Sequence, residues 1–145
     1  MSESIEDIIL DQDKRGVAKL RPHLPVDFCS QAAQYIMDHP GNVAITTGFY
    51  ILSAGSPETD GPAGAIAIGN ALQALGRKVT YITDSYTTPV LRGMLEDDTE
   101  VVDFPIAGIE ASRKATAEIL ARLDLSLIIS IERCSRTNDD AYLNM

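Results

Sequence analysis

An α/β fold, with an open and mainly parallel sheet of about four strands and helices on both faces, is what this sequence predicts. Three observations predict it. Short β-branched runs alternate with longer stretches of helical period along the chain. Glycine and proline stand at most changes of period. Polar residues gather just after the strand-like runs, where ligands bind in open sheets of this kind.

Ile5 to Leu10 reads as a short helix and Asp13-Lys14-Arg15-Gly16 as a turn. Pro22 and Pro25 bracket a linker, so residues 1–25 are expected to form an N-terminal helical segment and linker, and residues 26–145 the α/β domain. From Val26 to Asp38 the period is helical: Phe28, Ala32 and Ile36 form one row and Cys29, Ala33 and Met37 the next. Pro40-Gly41 stops this helix. Asn42 to Thr47 is a strand ending at Gly48, and a loop from Phe49 to Gly61 follows. The helix from Pro62 to Leu75 starts on proline, whose missing N–H would have no partner there, and Gly76 closes it. Being apolar on nearly every face, it is expected to be largely buried.

Lys78 to Thr83 is the second strand, ending at Asp84, and Thr88-Pro89 opens a short helix reaching Leu95. Glu100 to Phe104 is a third strand, shorter and more polar, as suits a sheet edge. A helix from Glu110 to Leu123 puts Ala115, Ile119 and Leu123 on one face. Leu125 to Ile131 is the last strand, with Glu132-Arg133 at its end. Strands alternating with helices imply right-handed crossovers, hence a Rossmann-like three-layer arrangement. The last strand is apolar apart from Ser126 and Ser130, so both its faces want cover. No helix follows it in the sequence. The domain is therefore expected to be incomplete at its C-terminus, with an apolar patch near this strand and a tendency to homo-oligomerise.

Composition excludes several function classes. At 145 residues, with 45% apolar and 23% charged, the chain suits one globular domain with a real core. Its net charge of -9, from 21 acidic against 12 basic side chains, argues against a nucleic-acid partner. No apolar run approaches membrane-spanning length, and the acidic start, Met1 to Asp7, lacks the order of a signal peptide. A cytoplasmic location is expected. Cys29 and Cys134 match no metal-ligand spacing. Cys29 falls on an apolar stripe and is expected to be a buried thiol, while Cys134 has no nearby histidine to activate it. His23 and His39 are expected at the surface. There is no Walker loop, dinucleotide glycine fingerprint or nucleophile elbow.

What remains is a constellation at successive strand ends. It comprises Thr46, Thr47 and Gly48; Glu58, Asp60 and Gly61 on the loop that follows; Asp84; and Glu132 and Arg133, with Asp139 and Asp140 further on. Asp60 beside a helix N-terminus has two readings, a helix cap or part of a site, and its immediate neighbours do not choose between them. Carboxylates and hydroxyls without a histidine cluster suit manganese or magnesium better than zinc.

The segments Ile45-Thr46-Thr47-Gly48-Phe49, Glu58-Thr59-Asp60-Gly61-Pro62-Ala63-Gly64-Ala65 and Ile131-Glu132-Arg133 together resemble the D-glutamate cyclase-like family. The stretch from Leu72 to Asp84 and the tail Ala141 to Met145 fit the same pattern, so the resemblance runs from about Asn42 to Met145. There are two departures. The family has a glycine in the loop where this chain reads Thr137-Asn138-Asp139-Asp140, and it continues to a Gly-Asp-Gly-Gly-Asn-Glu motif beyond the end of this sequence. The resemblance implies a lyase that converts D-glutamate, or a similar small carboxylate, to 5-oxo-D-proline and water. On that reading Asp60 and Glu132 are the catalytic carboxylates. Thr46, Thr47, Gly48, Glu58, Gly61, Asp84 and Arg133 hold substrate. The alternatives are a module that binds a small anion or a divalent metal, and an inactive truncated product.

Overall fold

The computed structural model describes residues 4–139 and Ala141. The chain divides into two compact units, Met1–Pro40 and Gly41–Met145.

In the first unit, helix α1 (Ile5–Leu10) begins with a reciprocal cap. The Ser4 hydroxyl accepts from Asp7 N and the Asp7 carboxylate from Ser4 N, at 3.1 and 3.2 Å. The Asp13 carboxylate organises the expected turn by accepting from the N–H groups of Arg15, Gly16 and Ala18. The expected linker around Pro22 is instead a 3₁₀ helix, Val17–His23. Proline's fixed φ is compatible with that short helix, so Pro22 does not interrupt it. Helix α2 (Phe28–Asp38) starts two residues later than its period suggested. Cys29 is half-buried rather than buried. Its N–H donates to the buried Glu6 carboxylate at 2.9 Å, which holds Glu6 below the usual carboxylate range. Burial and the neighbouring Glu6 push the Cys29 thiol upward, away from a reactive thiolate.

The second unit is a four-stranded, all-parallel open sheet in the order β5-β4-β1-β6. Its strands are β1 (Asn42–Gly48), β4 (Val79–Thr83), β5 (Val101–Asp103) and β6 (Leu125–Arg133). Helices α3 (Asp60–Ala74), α4 (Thr88–Met94) and α5 (Ile109–Leu123) complete the α/β arrangement. Val43, Ala44, Ile45 and Tyr81 are fully buried at the centre of the sheet. The loop expected after β1 folds into a small antiparallel hairpin, β2 (Tyr50–Ile51) with β3 (Ser56–Pro57). These strands are too short to carry a sequence period.

Helix α3 starts at Asp60, two residues before the proline expected to open it. Any of the first-turn positions tolerates proline, because those N–H groups lack an intrahelical acceptor. At the other end, Gly76 N donates to Gln73 O and Arg77 N to Leu72 O, with Gly76 at φ +78°. This is a Schellman closure. Helix α3 is buried only along Gly61, Pro62, Ala65, Gly69 and Leu72, whereas Ile68 and Leu75 are exposed. Its apolar back does not find cover within the described residues.

The small residues let α3 lie close on the sheet. A Cβ on Gly69 would fall on the Tyr81 hydroxyl, and one on Gly64 would touch Ile131 at 3.8 Å. On the opposite face α5 is tied by Glu100, which pairs with Arg122 of α5 and accepts from the Thr80 hydroxyl. Between α5 and the sheet, Thr46, Ile82, Phe104, Ile119, Leu120 and Ile128 line a cavity of about 260 Å³. Strand β6 alternates half-buried and exposed residues, with Ser126 and Ser130 on the exposed side together with Ile128, which is 53% exposed. The serines therefore mark an open face, and Ile128 is the apolar residue left there.

Two stability outcomes follow from these contacts. Gly69→Ala gains helix propensity but meets the Tyr81 ring, and should destabilise by about 1–3 kcal/mol in urea unfolding. Tyr81→Phe removes a buried hydroxyl without a hydrogen-bond partner among the described residues, and should recover part of that loss in the double variant. The Arg122 hydrogen bond, the Thr80 hydroxyl and the nearby cations keep Glu100 below the ordinary glutamate value, against its partial burial. Its contribution is present above the unfolded glutamate pKa and is lost as pH falls through the depressed folded value. Glu100→Gln should therefore flatten the acid limb of the stability profile, by no more than about 1 kcal/mol for a part-exposed pair.

Candidate active site

The site is built where β1 and β6 lose register. Thr47 pairs with Ile131 but Gly48 pairs with Arg133, so Glu132 is an extra residue in β6. Glu132 has φ +46°, a left-handed conformation that a non-glycine residue adopts only at some energetic cost. Such a bulge re-aims side chains at a strand end. Here it sets Glu132 against the first turn of α3. A Cβ on Gly61 would stand 2.8 Å from Glu132 Cβ and 3.0 Å from Thr47 Oγ1.

The hairpin sets the second carboxylate. Glu58 N donates to Phe49 O at 2.7 Å, closing the base of the β2–β3 ribbon, and Tyr50 stacks on Tyr86 with centroids 4.1 Å apart. Asp60 is the first residue of α3 rather than its cap, and its Oδ1 accepts from Gly61 N at 3.1 Å. One carboxylate oxygen from each of Glu58, Asp60 and Glu132 lies within 4.8 Å of the others. Asp60 and Glu132 are exposed and Glu58 half-buried. Beneath them the Thr47 hydroxyl is fully buried without a hydrogen-bond partner among the described residues.

A second group surrounds Gly48. This residue has φ +123°, and a Cβ there would stand 2.7 Å from Thr83 Oγ1, 2.8 Å from Thr87 Oγ1 and 3.1 Å from Arg133 Nη1. Arg133 Nη1 donates to Gly48 O and pairs with Asp84 Oδ2. The other Asp84 oxygen accepts from Tyr86 N and Thr87 N, at 3.1 and 3.2 Å, which shapes the turn into α4. Asp84 is only 6% exposed. It joins β4, the start of α4 and the end of β6.

The residues singled out from the sequence thus fall into three places. Thr47, Glu58, Asp60, Gly61 and Glu132 meet at the start of α3. Gly48, Asp84 and Arg133 form the adjoining ion-pair cluster. Thr46 turns to the opposite face of the sheet, where it lines the 260 Å³ cavity together with Arg133 and Cys134. Adjacent strand residues point to opposite faces, so Thr46 and Thr47 do not serve one pocket. Asp139 is exposed and Asp140 lies outside the described residues, as do Tyr142 to Met145 of the tail. Sequence reasoning missed Thr83 and Thr87. Gly48 at a strand end signals close approach, but not what approaches.

The family description "D-glutamate cyclase-like, C-terminal" matches residues 5–145. The chain belongs to this D-glutamate cyclase-like family. The match begins well before Asn42 and takes in the N-terminal helices. The chain is also 31% identical over 150 aligned residues to the mitochondrial D-glutamate cyclase of Homo sapiens. That alignment covers 93% of this chain but 23% of the human protein. No helix among the described residues of this family member is long and apolar enough to cross a membrane.

Removing one partner of the Asp84–Arg133 pair leaves a poorly solvated charge. Arg133→Met should therefore destabilise the fold by about 3 kcal/mol in chemical denaturation. Arg133→Lys should restore only part of this, since a lysine side chain is shorter and its ammonium is more strongly hydrated than the guanidinium whose Nη1 meets Gly48 O and Asp84. Full stability in Arg133→Met would remove the pair from the account of how the strand ends are joined.

Proposed function

We infer that the chain serves the cyclisation of D-glutamate to 5-oxo-D-proline and water, using the carboxylates at the start of α3. One observation carries the reading: in a member of the D-glutamate cyclase-like family, three carboxylates from separate elements converge at the carboxyl end of the parallel sheet. The reaction joins the α-nitrogen to the side-chain carboxyl carbon. One oxygen of that carboxylate leaves as water, taking up both protons that the ammonium group gives up. The work divides between holding a cation, accepting its proton and delivering protons to the departing oxygen.

Asp60 and Glu132 are exposed carboxylates that can hold the ammonium group and take its proton. Glu58 completes the acidic wall that orients the amine. The N-terminus of α3 favours the anionic end of the substrate. Arg133 acts from behind, because its Nη1 is held by Gly48 O and Asp84. In this reading Asp84 positions Arg133 and does not touch substrate.

The test is incubation of the chain with D- and L-glutamate, following 5-oxoproline by chiral chromatography. The D-isomer should be consumed. Asp60→Asn and Glu132→Gln should each lower kcat by about 100-fold or more with the fold retained. Unchanged turnover in both variants would move the chemistry elsewhere. No conversion of either isomer by folded chain would defeat the cyclase reading.

A further inference from the structure

We propose that the outer edge of β6 pairs, antiparallel, with the same edge of a second copy of this chain, about a twofold axis at Ile128. The two ends of the sheet differ in a way that points to β6. Strand β5 closes one end with three residues, and Glu100 beside it and Asp103 within it put charges there. Short, charged strands protect a sheet edge from pairing. Strand β6 closes the other end with nine residues, and among the described residues it pairs with β1 alone. From Leu125 to Ile131 it carries neither charge nor proline. Such an edge offers a row of backbone N–H and C=O groups as a template for another strand.

The side chains select a second copy as the partner. Read about Ile128, the stretch Leu125-Ser126-Leu127-Ile128-Ile129-Ser130-Ile131 is complementary to itself. In antiparallel pairing Leu125 meets Ile131, Ser126 meets Ser130, Leu127 meets Ile129, and Ile128 meets its own copy. Aliphatic pairs fall on the half-buried side of β6, and serine pairs flank Ile128 on the exposed side. Ile128, 53% exposed beside the α5 cavity, would be covered on the axis by the Ile128 of the other copy. The neutrality of the stretch matters in a chain of net charge -9, because like charges opposed across a ladder repel. Left-handed backbones at Asp124 and Glu132, φ +47° and +46°, end the ladder on both sides before these acidic residues oppose each other.

The proposal concerns assembly and does not rest on the cyclase reading. Sedimentation equilibrium of the full chain should show monomer and dimer in exchange. Ile128→Lys sets two ammonium groups against each other on the axis and should weaken the dimer by about tenfold or more, whereas Ile128→Val should leave it unchanged. Circular dichroism checks that each variant is folded. Register is read by cross-linking in a Cys29→Ser/Cys134→Ser background, with diamide as oxidant. Ile128→Cys should close a disulfide between copies, since opposed Cα atoms stand about 4.5–5.5 Å apart. Ser126→Cys should not link to itself, its two copies being offset by about 13 Å along the strands, but should link to Ser130→Cys when the two are mixed. A chain that stays monomeric up to millimolar concentration, a dimer that Ile128→Lys leaves intact, or linkage at 126 alone as ready as at 128 would each overturn the proposal. So would higher aggregates in place of a dimer, which mark an edge open to any strand.

Discussion

The close approach of α3 to the sheet is the constraint on which the rest of the second unit depends. Gly61 lies against Thr47 and Glu132, Gly64 against Ile131, and Gly69 against the Tyr81 hydroxyl. A helix with side chains at Gly61 and Gly69 would have to ride higher, whereas one at Gly64 would make only ordinary contact. The first turn of α3 would then lift away from the strand ends, and Asp60 would part from Glu132. Backbone proximity, rather than the burial of large side chains, sets the geometry of the carboxylate cluster. The same choice leaves α3 with little apolar bulk to bury, which explains why its outward residues Ile68 and Leu75 are exposed.

The β6 bulge works with that approach. By taking one extra residue between the partners of Thr47 and Gly48, the strand turns Glu132 to α3 and still delivers Arg133 to Asp84. Two acidic groups at the strand ends are thereby put to different uses. Asp84 is buried and spent on Arg133 and two backbone N–H groups, whereas Glu132 remains exposed beside Asp60 and Glu58. The neutralised pair joins the strand ends, and the acidic trio faces solvent. Such a division suits a site whose chemistry needs proton acceptors in front and a rigid floor behind.

Much of the architecture was legible in the chain. β-branched runs mark the four parallel strands because their side chains fit a pleated surface, and the polar third run does lie at an edge. The row Ala115, Ile119 and Leu123 does turn inward on α5, and Gly76 does close α3. The β2–β3 hairpin was not legible, since two-residue strands carry no period. Nor was the 3₁₀ helix through Pro22, where proline reads as punctuation although its backbone angle fits.

The sequence by itself determined which residues were available at the strand ends, because parallel strands linked by crossovers must all finish on one side. Thr46, Thr47, Gly48, Asp84, Glu132 and Arg133 could be named on that ground alone. Only the tertiary structure decided how they are shared. Whether Thr46 or Thr47 faces α3 depends on which face of β1 that helix covers. Whether Asp84 is exposed or locked to Arg133 depends on a one-residue slip between β1 and β6. Both are long-range matters of register and packing, and local propensity carries no information about either.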